Sequence, residues 1–226
     1  MIQLKNVSKS FGNQTVLQDV NMTLTEGKVI GIVGENGAGK TTLFRCIAGL
    51  ESFDGTITSD CTPLKNHLGF LMTDPFFFSK ITGEEYIRLL CNAREIKLEE
   101  LERKNVFDLP LKQYASTYST GMKKKLALTA LLLQQNQYFI LDEPFNGLDI
   151  QSNMVLTEII LQLKALNKII LVSSHIFSTM RDTCDEIYLL RSGDPIRKVL
   201  PQEFDRLEAE MKATTIGSKI NDLGLR

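Results

Sequence analysis

The stretch "KVIGIVGENGAGKTTLFRCIAGL", Lys28 to Leu50, limits what this chain can fold into more than any other. Its opening residues are almost continuously apolar and β-branched, the composition of a strand covered on both faces. A glycine-rich turn and then a helical run follow. Gly34, Gly39, Lys40 and Thr41 fit the spacing G-x-x-x-x-G-K-[ST]. Glycines let the loop from Gly34 through Glu35, Asn36, Gly37, Ala38, Gly39, Lys40, Thr41 and Thr42 bring its N–H groups to phosphate oxygens. The helix adds its positive N-terminal end, Lys40 a point charge for the terminal phosphates, and Thr41 a hydroxyl for Mg²⁺. The ligand this layout implies is a nucleoside triphosphate.

The rest of the chain supplies a frame for that loop. "YFILDEP" (Tyr138 to Pro144), "KIILVSSH" (Lys168 to His175) and "EIYLLRSG" (Glu186 to Gly193) read as further strands. Runs such as "MVLTEIILQLKAL", apolar at three- and four-residue spacing, read as helices between them. Strands alternating with helices predict a parallel sheet in an α/β layer fold. Ahead of it, Ile2 and Leu4, then Val20, Met22 and Leu24, alternate with polar residues, the pattern of antiparallel strands with one solvated face. From about Thr82 to Gln135 the pattern is helical, which predicts a helical insertion. After Pro195 only a short amphipathic stretch, "PQEFDRLEAEMK", is expected.

"FILDEP" is an apolar strand ending in two acids. Beside a phosphate loop, Asp142 would hold the hydration shell of Mg²⁺, and Glu143 would polarise an attacking water as a general base. Composition narrows the remaining classes. A net charge of -1 gives no basic field for nucleic acid, and the lysines 123 to 125 read as a solvated helix face. Four scattered cysteines signal neither zinc nor a disulfide framework. The start "MIQLKNVSKS" lacks a secretory pattern, and no apolar run approaches the roughly 20 residues of a membrane span. The expected location is therefore cytoplasmic, with any membrane role reached through a partner.

"GENGAGKTT", "YSTGMKKKL", "FILDEPFNGLD" and "LVSSH", in this order, resemble the nucleotide-binding subunit of ABC transporters over almost the whole chain. The most specific segment is "YSTGM", which other phosphate-loop proteins lack. The resemblance implies a P-loop NTPase fold: a RecA-like parallel-sheet core, an antiparallel β-subdomain and a helical insertion. It also implies one domain over 1–226, with core 1–72 and 137–195, helical subdomain 73–136 and a short helical tail 196–226. ATP and Mg²⁺ are the implied cofactors. Ser119 and Gly121 match the signature residues, which close on ATP bound by a second subunit in a head-to-tail dimer. Ser119 also reads as an ordinary helix N-cap, and both roles are compatible. Asp149 matches the loop that couples the two sites, His175 the switch histidine, and Phe11 in "SKSFGN" the aromatic residue that stacks on adenine. His67 matches nothing and reads as structural.

One position departs from the family. Where a glutamine joins core and helical insertion, this chain has Thr73 in "LGFLMTDPFFFS". The shorter hydroxyl is expected to reach the metal shell only through a water, and Asp74 to point the opposite way. Phe76, Phe77 and Phe78 follow in the segment where the resemblance places the membrane subunit. At least one should pack inside, and one or two should be exposed as an apolar anchor. The leading function is the ATP-hydrolysing subunit of a membrane transporter, on the exporter side by the resemblance of "YSTGMKKKL". The other open reading is a soluble single-cassette ATPase acting on protein complexes; the signature segment argues against a generic P-loop kinase or GTPase.

Overall fold

The computed structural model describes residues 1–174 and 177–216. Two sheets organise it. β1 (Ile2–Phe11), β2 (Gln14–Leu24) and β4 (Asp54–Ser59) form an antiparallel sheet in the order β2-β1-β4. β3 (Lys28–Val33), β5 (Leu68–Leu71), β6 (Tyr138–Leu141), β7 (Ile169–Ser173), β8 (Glu186–Leu189) and β9 (Arg197–Val199) form the second, in the order β5-β6-β7-β3-β8-β9. All its pairings are parallel except β8 with β9.

The continuous apolar runs of the central strands are explained by burial on two sides. Ile30, Ile32, Tyr138, Ile140, Ile169 and Leu171 face one cluster, which is completed by the antiparallel sheet and by Leu43 and Phe44 of α1 (Lys40–Ile47). Val29, Phe139, Leu141, Ile170 and Val172 face the other. That side is covered by α3 (Thr120–Leu133), α4 (Ile150–Ala165), α5 (Phe177–Thr183) and α6 (Phe204–Ile216). Successive strand residues thus enter opposite cores, as a pleat with period two requires.

Between β5 and α3, α2 (Gly83–Asn92) starts at Thr82, whose hydroxyl accepts from the Glu85 amide while the Glu85 carboxylate accepts from the Thr82 amide. That reciprocal cap fixes the helix start. Ile87 and Cys91 of α2 join Leu101, Leu109, Leu111, Leu126 and Ala130 in a separate cluster. α3 borders two clusters: Leu126 and Ala130 face the helical one, while Ala127, Leu128 and Leu131 face the sheet. This double burial explains its near-continuous apolar sequence.

Two features differ from expectation. The C-terminal segment opens with a strand: β9 pairs antiparallel with β8 and extends the sheet. Beyond it, Phe204 and Leu207 of α6 are buried in the sheet-side core, and Phe204 meets Phe177 edge-on at 6.3 Å. The lysines 123 to 125 are not one solvated face. Lys124 is only 2% exposed, because it lies one turn before Leu128 on the buried side of α3. Among the described residues, no helix is long and apolar enough to cross a membrane.

Candidate nucleotide site

The parallel register brings distant residues to one sheet edge. β5, β6, β7 and β3 are neighbours, so the segments leaving their C-terminal ends lie side by side. Leu71 pairs with Leu141, Leu141 with Val172, and Ile32 with Ser173. Thr73, Asp142, Glu143, Ser173 and the loop from Gly34 therefore converge where ligands of such sheets bind.

Asp142 is 1% exposed and sits at the centre. Its Oδ2 accepts from Thr41 Oγ1 at 2.6 Å and from Thr73 Oγ1 at 2.9 Å; its Oδ1 accepts from Ser173 Oγ at 2.7 Å. Ser173 Oγ in turn accepts from the Glu143 amide at 2.9 Å. Thr73 thus touches the Asp142 carboxylate directly. Adjacency of the two strand ends supplies the reach that the side chain lacks.

Lys40 Nζ donates to the carbonyls of Gly34 at 2.7 Å and Glu35 at 3.2 Å, so the ammonium sits inside the loop. Gly39, the N-cap of α1, has φ +101°, and a Cβ there would come within 2.8 Å of Val16. Only glycine combines that backbone with so close a neighbour. No side chain caps α1, which leaves its first amides facing the groove. The groove has a volume of about 500 Å³ and is lined by Val16, Asn36, Gly37, Gly39, Lys40, Thr41, Thr42, Thr73, Asp142, Glu143 and Asn146. Phe11 lies off that lining at the β1–β2 turn, half exposed, with the Lys9 ammonium 4.8 Å from its ring centroid. A larger cleft of about 760 Å³ on the helical segment holds none of these residues.

Ser119 caps α3, its hydroxyl accepting from the Met122 amide at 3.2 Å. A Cβ on Gly121 would sit 2.6 Å from the Gly147 carbonyl oxygen, so α3 packs directly on the segment that follows β6. Asp149 caps α4 by accepting from the Ser152 amide at 2.8 Å and also accepts from Lys125 Nζ at 2.8 Å. The Lys125 bond, then the Ser152 amide and hydroxyl, hold its carboxyl well below the usual range. His175 lies outside the described residues.

Two contributors went unread in the sequence. Ser173 carried one usable signal, a hydroxyl ending an apolar strand. Lys124 is the other: its Nζ donates to the Glu143 carbonyl at 2.8 Å and the Asn146 carbonyl at 2.9 Å. Burial pushes its pKa down, while the carboxylates of Asp74, Glu143 and Asp142 pull it up. The signal here was position, a lysine on the stripe of Leu128 in a helix otherwise buried.

Past Thr73, burial alternates. Phe77 packs between the sheet-side and helical clusters, its ring 4.5 Å from Tyr86. Phe76 and Phe78 are 68% and 57% exposed and meet edge-on at 5.4 Å. One ring is inside and two are exposed, within the expectation of at least one packed ring and one or two exposed ones.

The ABC transporter family model matches residues 17–146. The "ABC transporter ATP-binding protein NatA" of Bacillus subtilis (strain 168) is 33% identical over 87% of this chain and 88% of its own length. The "Lantibiotic transport ATP-binding protein SrtF" of Streptococcus pyogenes is 30% identical over 92% and 93%. A solved structure described as "Structure of ATP binding subunit of ABC transporter" superposes with TM-score 0.80 at 28% identity, covering 92% of this chain and 93% of that one. A dimeric ATP-binding cassette, MJ0796, solved with ADP and Pi, shares the fold with TM-score 0.78 at 20% identity, over 89% and 99%. The chain belongs to the ABC transporter family, as an ATP-binding ATPase subunit.

Proposed function

We propose that this subunit hydrolyses ATP with Glu143 as the water-activating base and drives export through separate membrane-spanning subunits. The observation that carries the reading is the bonded set Thr41–Asp142–Ser173–Glu143 beside the phosphate loop. The backbone from Gly34 to Thr42 and the start of α1 bind the phosphates, and Lys40 neutralises their charge. The Thr41 hydroxyl and Asp142 carboxylate are hard oxygen groups at the groove that fit Mg²⁺, with Thr41 as the protein ligand and Asp142 holding the ion's water shell. Bound there, Mg²⁺ would neutralise charge on the phosphate oxygens. Thr73 and Ser173 hold the Asp142 carboxylate in place from two sides. Glu143 takes the proton of the attacking water. By family resemblance, His175 would serve as the switch histidine for the terminal phosphate and the catalytic glutamate, and Phe11 would offer its ring to adenine.

Two copies would close head to tail, with Ser119 and the amides around Gly121 meeting the phosphate held by the other copy. Thr73 and Asp149 would couple the two sites. The functional division is a core of 1–72 and 137–195, a helical subdomain of 73–136 and a C-terminal segment of 196–226. Export is supported by the signature "YSTGMKKKL" and by relatives whose names assign them lantibiotic and bacitracin transport. The exposed Phe76–Phe78 pair is the proposed anchor for the membrane subunit, which would hold this chain at the cytoplasmic face. Co-purification tests the transporter reading. Wild type should be recovered with a multi-span partner, and Phe76→Ala/Phe78→Ala should bind ATP yet lose that partner. A double variant that retains the partner would refute the anchor.

A further inference from the structure

We propose that Lys124 is the positioning residue for Glu143, and that through it α3 sets the direction of the water-activating carboxylate. This inference rests on the assignment of Glu143 as that base.

A lysine ammonium is rarely buried, because desolvation is costly unless its donors are satisfied. Lys124 is buried with both of its bonds directed at one short segment, the backbone carbonyls of Glu143 and Asn146. Neither acceptor belongs to α3, so the charge does not serve its own helix. Glu143 has φ +49°, a left-handed backbone that is uncommon for a residue with a side chain and that local contacts hold in place. Two tethers do so from opposite sides. Its amide donates to Ser173 on β7, which belongs to the sheet, and its carbonyl accepts from Lys124 on α3. A residue pinned at both peptide groups has its Cα–Cβ direction set by the two bodies that pin it.

Two further contacts make the segment follow α3. Gly121 abuts the Gly147 carbonyl, and Lys125 pairs with Asp149. The helix that ends at Ser119 on one side therefore grips the segment from Glu143 to Asp149 at three points. A shift of α3 that moves Ser119 also moves the Glu143 carbonyl. A lysine present only to fill space would need no such pair of acceptors, and its loss would affect stability without selecting kcat.

The test uses the full chain with Lys124→Met, Lys124→Arg, Glu143→Gln and the double variant Lys124→Met/Glu143→Gln. Steady-state ATPase assays are paired with equilibrium binding of a fluorescent ATP analogue. We expect Lys124→Met to lower kcat by about 10- to 100-fold, the scale of a displaced catalytic group. KM and analogue affinity should stay within about twofold of wild type, as for an interaction used only in the transition state. Lys124→Arg, which keeps the donors, should recover most of the rate. In the Glu143→Gln background, Lys124→Met should change the residual rate by less than about twofold, because residues acting as a unit are not additive. A Lys124→Met kcat within about twofold of wild type, or a loss that multiplies with that of Glu143→Gln, would overturn the proposal. If the methionine variant does not fold, Lys124→Gln is read by the same kcat and KM criteria. Wild-type turnover by Glu143→Gln alone removes the base assignment itself, a failure distinct from that of Lys124.

Discussion

Ser173→Ala is the substitution whose consequence follows most directly from the geometry. One fully buried hydroxyl serves both the Asp142 carboxylate, at 2.7 Å, and the Glu143 amide, at 2.9 Å. Its removal costs a bond to a charged group, about 1.5–3 kcal/mol, and orphans a part-buried amide, about 1–3 kcal/mol. Because a single atom makes both bonds, the losses overlap, and about 3 kcal/mol is the expected total. For a chain of this length each kcal/mol lowers the midpoint by about 2–4 °C, so the shift should be about 6–12 °C. Urea titration followed by circular dichroism measures the free-energy loss, which should appear as a lower midpoint with an unchanged slope. ATPase activity should fall as well, since Glu143 loses its tether to β7. A loss under about 0.5 kcal/mol, the scale of a neutral surface change, would refute the reasoning.

Thr73→Val deletes the 2.9 Å bond to Asp142 and should lower stability by about 1.5 kcal/mol, the low end for a charged acceptor, since Thr73 is only partly buried and water can replace it. Thermal unfolding measures that loss, and an unchanged midpoint would show that the contact is idle. Phe77→Ala should destabilise by about 3 kcal/mol. Phe76→Ala and Phe78→Ala should stay within about 0.5 kcal/mol; equal losses at all three positions would contradict the alternation of burial. Asp149 titrates below its ordinary range, so its stabilisation is present above that range and lost as pH falls through the depressed folded value. The stability difference between wild type and Asp149→Asn should therefore shrink as a urea series is taken from about pH 5 toward pH 2. A difference that grows on acidification would reverse the assignment.

The phosphate loop was legible because three independent signals coincided: a doubly buried strand, glycine spacing and a helical run. The central strands were legible for the same reason as their burial, since residues facing two cores are apolar at every position. β9 was not, because Arg197 and Lys198 are exposed on a three-residue strand at the sheet edge, where side chains need not declare a partner. Lys124 was hidden by its neighbours. Three consecutive lysines look solvated in one dimension, but successive residues on a helix point about 100° apart, and only the middle one turns inward. Thr73 and Ser173 could be placed on strand ends, but their contact with Asp142 depends on strand order, which no local pattern encodes. The aromatic run yielded to simple alternation: Phe77 is packed while Phe76 and Phe78 are exposed.

The most direct measurement is the mass of Glu143→Gln in solution, with and without ATP and Mg²⁺, read beside its turnover. If Glu143 activates water and two copies enclose the nucleotide, the variant should bind ATP, lose turnover by about 100-fold or more, and shift from monomer to an ATP-dependent dimer. Glu143→Gln that hydrolyses ATP at the wild-type rate and stays monomeric with ATP would contradict the account.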